Sequence, residues 1–445
     1  MGESQQSSHL TPGGALTGTL AVAGDKSISH RSIMLGALAE GTTTVEGFLP
    51  GEDTLATLAA FRQLGVTIEG PIDGRVVIHG VGLHGLKAVD APLYQGNSGT
   101  SMRLLCGLLA AQPFATVLTG DSSLSRRPMN RVAIPLRQMG AQIGTSAEGN
   151  PAVTIASTQR LHGIEYAMPV ASAQVKSALL LAGLYAQGET AVIEPAPTRD
   201  HTERMLRSLG YRVESHPVAA GQRISLQGGG TLRAIDIQVP GDISSAAFFI
   251  VGATIAPGSN LLLRNVGINP TRTGVIDILR QMGAEISLER QYSAGDEPVA
   301  DLRIRHAPLR GIEIPEALVP LAIDEFPAIL VAAAQATGET VLSGASELRV
   351  KESDRIQAMA DGLKVLGVDS VVRPDGIVLR GGAFGGGRID SHGDHRIAMA
   401  FAMAALRASA PLQITDCANV ATSFPNFAAL AQQAGLGIRV ENADG

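Results

Sequence analysis

The 445-residue sequence has no tryptophan, and only 10 phenylalanines and 5 tyrosines. So few rings exclude the stacking platforms that bind single-stranded nucleic acid. Its two cysteines, Cys106 and Cys417, cannot form a disulfide framework or a thiolate zinc site. Charged residues make up 17% of the chain, below the usual quarter, so much of it is expected in an interior. The net charge of -6 argues against general nucleic-acid binding and against an anionic membrane surface. The longest apolar runs, such as 397–406, have about 10 residues, whereas a membrane-spanning helix needs about 20. The opening MGESQQSSHLTPGG lacks the basic start and apolar stretch of a signal peptide. Gln6 breaks the myristoylation pattern. These absences leave a soluble, cytoplasmic protein, with 45% apolar residues to form its core. The length alone predicts about three domains.

Two phrases recur about 70 residues apart, the mark of a repeat architecture. The first is FRQLGVTI, LRQMGAQI, LRSLGYRV, LRQMGAEI, LKVLGVDSV and AQQAGLGIRV. Each reads as a surface helix closed by a left-handed glycine and followed at once by a strand. The second is a polar cluster that opens an apolar helix, at Asp25, Asn97, Ser172, Asp242, Asp324 and Asp394. Such helices belong in an interior, and each opening residue is a good N-cap. Residues 76–79, 224–226 and 377–380 read as strands. Six α/β units in two near-equal halves result, with the break at Val239-Pro240-Gly241. The spacings leave open a ring, a solenoid or two clusters of three.

A helix N-terminus exposes unpaired N–H groups and a partial positive charge. Lys26, Arg31, Lys176 and Arg396 lie at such openings, so these ends read as anion sites in an acidic protein. Arg127, held beside Pro128, reads as a fork for phosphate or carboxylate, and Arg126 as a solvated residue. In RVKESDR, Lys351 and Arg355 are four apart and predict a shared helical face, with Glu352 beside them. His395 reads as a structural hydrogen-bonding residue and Asp242 as a cap. No metal spacing and no Walker loop occurs. Each cluster taken alone also fits a solvated, salt-bridged turn.

Together GDKSISHRS, GNSGTSMR, SRRPM, SAQVKSALLLAG, TRDHTE, IDEFP, RVKESDR and DHRIAM resemble the 5-enolpyruvylshikimate-3-phosphate (EPSP) synthase family. They run in that family's order from Gly24 to Phe427. The SLSRRPM and ATSFP forms are more similar to its second, glyphosate-tolerant class. The resemblance implies two domains, each of three βαβαββ repeats around buried parallel helices. One would span 23–240 and the other 1–22 plus 241–445, with the active site in the cleft between them. It implies transfer of the enolpyruvyl group of phosphoenolpyruvate to the 5-hydroxyl of shikimate 3-phosphate, by addition and elimination. Phosphoenolpyruvate is a co-substrate; no cofactor, metal, nucleic acid or membrane is implied, and the chain is expected to be a monomer.

Carried over by motif, Lys26, Ser27, Arg31, Ser172, Ala173, Gln174, Arg199, Asp324 and Lys351 would hold shikimate 3-phosphate. Lys26, Asn97, Gly99, Thr100, Arg127, Gln174, Arg355 and Arg396 would line the phosphoenolpyruvate site. Asp324 would be the base, and Lys351 and Glu352 would handle proton transfer, with Glu352 as donor and Lys26 reaching both ligands. A donor carboxylate needs a raised pKa, which nearby cations oppose.

Three positions depart from the family. Thr422 stands where the first class has Lys, and Glu347 where it has a substrate-contacting Asn. Gly99 stands where the tolerant class often has Ala, which leaves room for glyphosate. UDP-N-acetylglucosamine enolpyruvyl transferase shares the repeats and reaction type, but commonly uses a loop cysteine where this chain has 122–127. A non-catalytic anion-binding scaffold would need neither Asp324 nor Glu352. An RNA 3′-phosphate cyclase would need a basic face.

Overall fold

A computed structural model describes residues 6–157 and 160–442. The expected second-domain span includes 1–5 and 443–445, which lie outside the described residues, as does most of the segment read for a lipid signal. The chain divides into two compact units. One is Gly24–Val239 with Ala294–Glu297; the other holds 6–23, Pro240–Ser293 and 298–442. There are thus two units where length alone predicts about three, because each is enlarged by repetition.

Among the described residues, twelve α-helices alternate between two kinds. The first unit has α1 (Lys26–Leu38), α2 (Glu52–Gln63), α3 (Gly99–Leu109), α4 (Asn130–Gln138), α5 (Ala173–Gly183) and α6 (His201–Ser208). The second has α7 (Ile243–Ile255), α8 (Gly274–Gln281), α9 (Phe326–Ala333), α10 (Arg355–Val365), α11 (His395–Ala404) and α12 (Phe427–Ala434). Odd-numbered helices are interior: every residue of α7, α9 and α11 is buried. Even-numbered ones keep an exposed face, and α2 carries Glu52 and Asp53 in its first turn and Arg62 in its last, as the helix dipole favours.

Each even helix closes in the same way. Gly65, Gly140, Gly210, Gly283, Gly367 and Gly435 all have φ between +84° and +118°. Beyond each, a backbone N–H returns to the carbonyl five residues earlier: Val66 to Phe61, Ala141 to Leu136, Tyr211 to Leu206, Ala284 to Leu279, Val368 to Leu363 and Leu436 to Ala431. These are Schellman closures, with an apolar residue at both ends of each bond. The recurring arginine adds a clamp. Arg62, Arg137, Arg207 and Arg280 each donate Nε to the carbonyl six residues on, at 3.1, 2.8, 3.0 and 3.2 Å. The recurrence of the phrase within the chain therefore has a cause: it ties a helix end to the strand that follows.

Among the described residues the strands form six small sheets, five of four strands and one of three. The usual order is a parallel pair followed by two antiparallel neighbours. Glu165–Ala167 runs parallel to Glu189–Glu194, which pairs antiparallel with Gly221–Gln227, and that strand with Val213–Val218. Distant segments complete other sheets. Ile237–Gln238 pairs with Glu40–Glu46, Thr17–Leu20 with Asn260–Gly267, and Gln6–Leu10 lies between Leu412–Thr415 and Ile438–Asn442. Among the described residues, no helix is long and apolar enough to cross a membrane.

The structure corrects four local readings. Ser98, not Asn97, caps α3, because the Asn97 amide is held by Arg127 and Asp121. Glu325, not Asp324, stands at the N-cap of α9, and no side chain bonds there. Lys351 is outside any helix, since Asp354 caps α10 and starts it at Arg355; Lys351 and Arg355 therefore share no helical face. Lys176 is no anion site: it is fully buried between Glu194 at 2.9 Å and Glu203 at 2.7 Å. Burial opposes its charge, but Glu203 and then Glu194 outweigh that and raise its pKa.

Candidate active site

In the unit formed by Gly24–Val239, three interior helix openings carry the expected residues. Asp25 caps α1, accepting the Ile28 N–H at 2.8 Å. Lys26 follows and pairs with Asp53 in the first turn of α2. Arg31, one turn deeper, donates to Thr202 Oγ1 at 2.7 Å, Ser177 Oγ at 2.9 Å and the Ser27 carbonyl at 3.0 Å. Burial lowers its pKa to about 10, opposed by Glu203 and Asp25, so it remains a cation at neutral pH. Arg199 lies near enough to contribute to that lowering. At α5, Ser172 caps the helix by accepting the Val175 N–H, and Ala173 and Gln174 form the half-buried first turn.

The α3 opening joins α5 through side chains. Gln174 donates Nε2 to Thr100 Oγ1 at 2.9 Å and accepts from Arg103 Nη1. Asn97 accepts from Arg127 Nη2, while its own amide donates to Asp121 at 2.6 Å. Gly99 lies between two guanidinium groups: a Cβ added there would sit 3.2 Å from Nη1 of both Arg103 and Arg127. The structure thus brings Asn97, Gly99, Thr100, Arg127 and Gln174 together. Arg126 is exposed, as the sequence predicts, and Arg127 is buried.

The other unit gathers carboxylates around one guanidinium. Arg355 is 1% exposed. It donates Nε to Asp394 Oδ2 at 2.8 Å, Nη2 to Glu352 Oε2 at 2.6 Å and Nη1 to Asp324 Oδ1 at 3.2 Å. Burial works against its charge, but Asp394, then Glu352 and Asp324, raise its pKa above the usual value. Asp394 is penalised by burial yet held below the ordinary carboxylate range by Arg355. Lys351 Nζ lies 3.1 Å from Asp324 Oδ1. Arg396 donates to the Asp324 carbonyl at 3.3 Å, and Asp394 caps α11 by accepting the Arg396 N–H at 2.9 Å. His395 meets Ser423 at 3.0 Å, the structural role expected of it. Thr422 is buried and donates to the Asn419 carbonyl at 2.7 Å.

Sequence reasoning missed Arg103, Asp53 and Asp121. Arg103 had a signal, since it is the one charged residue in GTSMRLLCGLL. Asp53 and Asp121 had none, because their partners are fixed by tertiary contact.

Comparison with known proteins identifies the family. The family model for EPSP synthase (3-phosphoshikimate 1-carboxyvinyltransferase) matches residues 10–430. The chain belongs to the EPSP synthase family. A 3-phosphoshikimate 1-carboxyvinyltransferase of Methylococcus capsulatus is 67% identical over 96% of this chain and 97% of that relative. One from Alkalilimnicola ehrlichii is 64% identical over 98% of this chain and 97% of that relative. The solved EPSP synthase of Acinetobacter baumannii is 60% identical, covers 98% of this chain and 100% of its own, and has a TM-score of 0.88. The enolpyruvyl transferase NikO of Streptomyces tendae, at 17% identity and a TM-score of 0.79, shares the fold. This is the enolpyruvyl transferase fold that the motifs imply, mixed α/β with several small sheets.

Two expectations follow for an EPSP synthase with these residues. In Gly99→Ala the new methyl presses on Arg103 and Arg127 and fills space beside them. The glyphosate inhibition constant should rise by at least about tenfold, and the phosphoenolpyruvate KM by about threefold. Paired inhibition and saturation curves check this; an unchanged inhibition constant contradicts it. The second concerns thiols. Burial raises the pKa of Cys106 to about 12 and of Cys417 to about 11, and thiolate is the reactive form. Iodoacetamide at neutral pH should leave both unlabelled in the folded protein and activity intact. Loss of activity in step with labelling would point to a cysteine-dependent transferase.

Proposed function

We propose that this chain transfers the enolpyruvyl group of phosphoenolpyruvate to the 5-hydroxyl of shikimate 3-phosphate, with both side-chain clusters acting on that one pair of substrates. The observation that carries the reading is the Asp324 carboxylate, held by Lys351 and Arg355 instead of capping its helix. Asp324 takes the proton of the 5-hydroxyl as its oxygen bonds to C2 of phosphoenolpyruvate. A proton reaches C3 and turns the methylene into a methyl group. The tetrahedral intermediate then expels phosphate and loses one methyl proton, which restores the double bond. Lys351 and Glu352 share the proton traffic at C3, with Glu352 Oε2 accepting from Arg355. The atoms balance with phosphoenolpyruvate as co-substrate and no cofactor.

Shikimate 3-phosphate is held by Lys26, Ser27, Arg31, Ser172, Ala173, Gln174 and Arg199, with Asp324 and Lys351 at the reacting hydroxyl. Phosphoenolpyruvate is held by Lys26, Asn97, Gly99, Thr100, Arg127, Gln174, Arg355 and Arg396. Four anionic groups on two substrates account for so many cations in a chain otherwise poor in charge. The enzyme acts as a monomer in the cytoplasm. Phosphate release from phosphoenolpyruvate tests the reading. Release is expected with shikimate 3-phosphate and not with UDP-N-acetylglucosamine; release independent of shikimate 3-phosphate would refute it.

A further inference from the structure

Between the α1 and α3 openings lies a buried chain of side chains with no part in the chemistry above. His30, on α1, has no exposed surface; neither do Thr57 on α2, Ser101 on α3 or Gln95 just before it. His30 Nδ1 lies 2.7 Å from Thr57 Oγ1, Thr57 Oγ1 2.7 Å from Ser101 Oγ, and Ser101 Oγ 2.6 Å from Gln95 Oε1. On its other side His30 Nε2 faces Ser98 Oγ at 3.5 Å, and Ser98 is the N-cap that accepts the Ser101 N–H at 3.0 Å.

The protons along this chain can be assigned in order. Gln95 Oε1 is only an acceptor, so Ser101 donates to it. Ser101 must then accept from Thr57, whose single proton is thereby used. Thr57 can only accept from His30, so Nδ1 carries the proton and Nε2 keeps a lone pair for the Ser98 hydroxyl. A neutral ring fits its surroundings: burial, then Lys26 and Arg31, lower the His30 pKa well below 6.5. The same α2 turn that carries Thr57 also carries Asp53, the partner of Lys26.

We propose that His30 and Thr57 are positioning residues that fix the opening of α3, and with it Gly99, Thr100 and the approach of Arg127, against the opening of α1. This rests on the functional reading above, which puts phosphoenolpyruvate at α3. The shikimate 3-phosphate contacts Ser172, Ala173 and Arg199 lie outside the chain of bonds, and Lys26, Ser27 and Arg31 stay fixed on α1, whereas Gly99 and Thr100 move with the α3 opening. Loosening the chain therefore weakens phosphoenolpyruvate binding more than shikimate 3-phosphate binding.

The test compares Thr57→Val, which keeps shape but loses the hydroxyl, with Thr57→Ser, which keeps it. Thr57→Val should raise the phosphoenolpyruvate KM about tenfold, the worth of a buried hydrogen bond, with kcat and the shikimate 3-phosphate KM changed less than about threefold. Thr57→Ser should stay within about twofold of the parent. Nitrogen-15 NMR of the unaltered protein should find His30 neutral and protonated on Nδ1, a readout that needs no variant to fold. An unchanged phosphoenolpyruvate KM in Thr57→Val, a parallel rise for both substrates, or a His30 protonated on Nε2 overturns the inference alone, provided the parent releases phosphate in the same assay. A parent that releases none removes the functional reading and the inference with it.

Discussion

Replacing Asp324 with Asn lowers kcat about a thousandfold, the range expected when a general base is removed. The argument is local. Asp324 directly precedes Glu325, which stands at the N-cap of α9 without a side-chain cap bond. Its Oδ1 instead lies 3.1 Å from Lys351 and 3.2 Å from Arg355. Asparagine keeps an oxygen for those two donors, so stability should change by no more than about 1 kcal/mol. Steady-state phosphate release and thermal unfolding separate the two effects. Turnover near the parent value would mean that Asp324 is not the base, and would favour the non-catalytic scaffold.

Arg355→Met has the second large effect, and here stability falls along with activity. The substitution leaves Asp394, Glu352 and Asp324 without their shared cation. Breaking a buried ion pair from one side costs about 3–5 kcal/mol, because the remaining charge is left desolvated. In a unit of this size the midpoint of thermal unfolding should drop by on the order of 10 °C.

The pH dependence has a definite sign. In the parent, Asp394 is held below its ordinary range. Its share of stability is complete above the unfolded value of about 4 and is lost as pH falls through the lower folded value. In Arg355→Met the largest lowering influence on Asp394 is gone while burial and the Glu352 charge still raise its pKa, opposed by His395 and by hydrogen bonds from Ser353 and the Arg396 N–H, so its folded pKa is expected above the unfolded one. The deficit should therefore be largest near neutral pH and shrink as pH falls toward about 4. A variant melting within about 2 °C of the parent at every pH would contradict this. Arg355→Lys should fall between, since an ammonium keeps the charge but cannot span three carboxylates as a fork.

What could be read from the sequence was local. The glycines from Gly65 to Gly435 announce their helix ends because a left-handed turn is decided by neighbouring residues, and the apolar pairs around each belong to the same phrase. The openings at Asp25, Ser172, Asp242 and Asp394 are true caps for the same reason. The failures at Asn97 and Asp324 have distant partners. Asn97 is claimed by Arg127, 30 residues on, and Asp324 by Arg355, 31 residues on. Each such bond outcompetes the local cap. Lys176 looked like another cationic opening, and only the fold brings Glu194 and Glu203 to neutralise it. Sheet completion was equally hidden: nothing in Gln6–Leu10 reveals a place between strands more than 400 residues away.

The claim that proton addition and removal at the methylene carbon drive this transfer is tested most directly by running the reaction in deuterium oxide. Mass spectrometry of the enolpyruvyl product should find deuterium on its vinyl carbon. The solvent donates one hydrogen to make the transient methyl group, and any of the three then present can leave. Phosphoenolpyruvate incubated without shikimate 3-phosphate should stay unlabelled. A fully formed product carrying only protium would contradict the account, because the enolpyruvyl group would then have moved without the acid and base steps assigned to Asp324, Lys351 and Glu352.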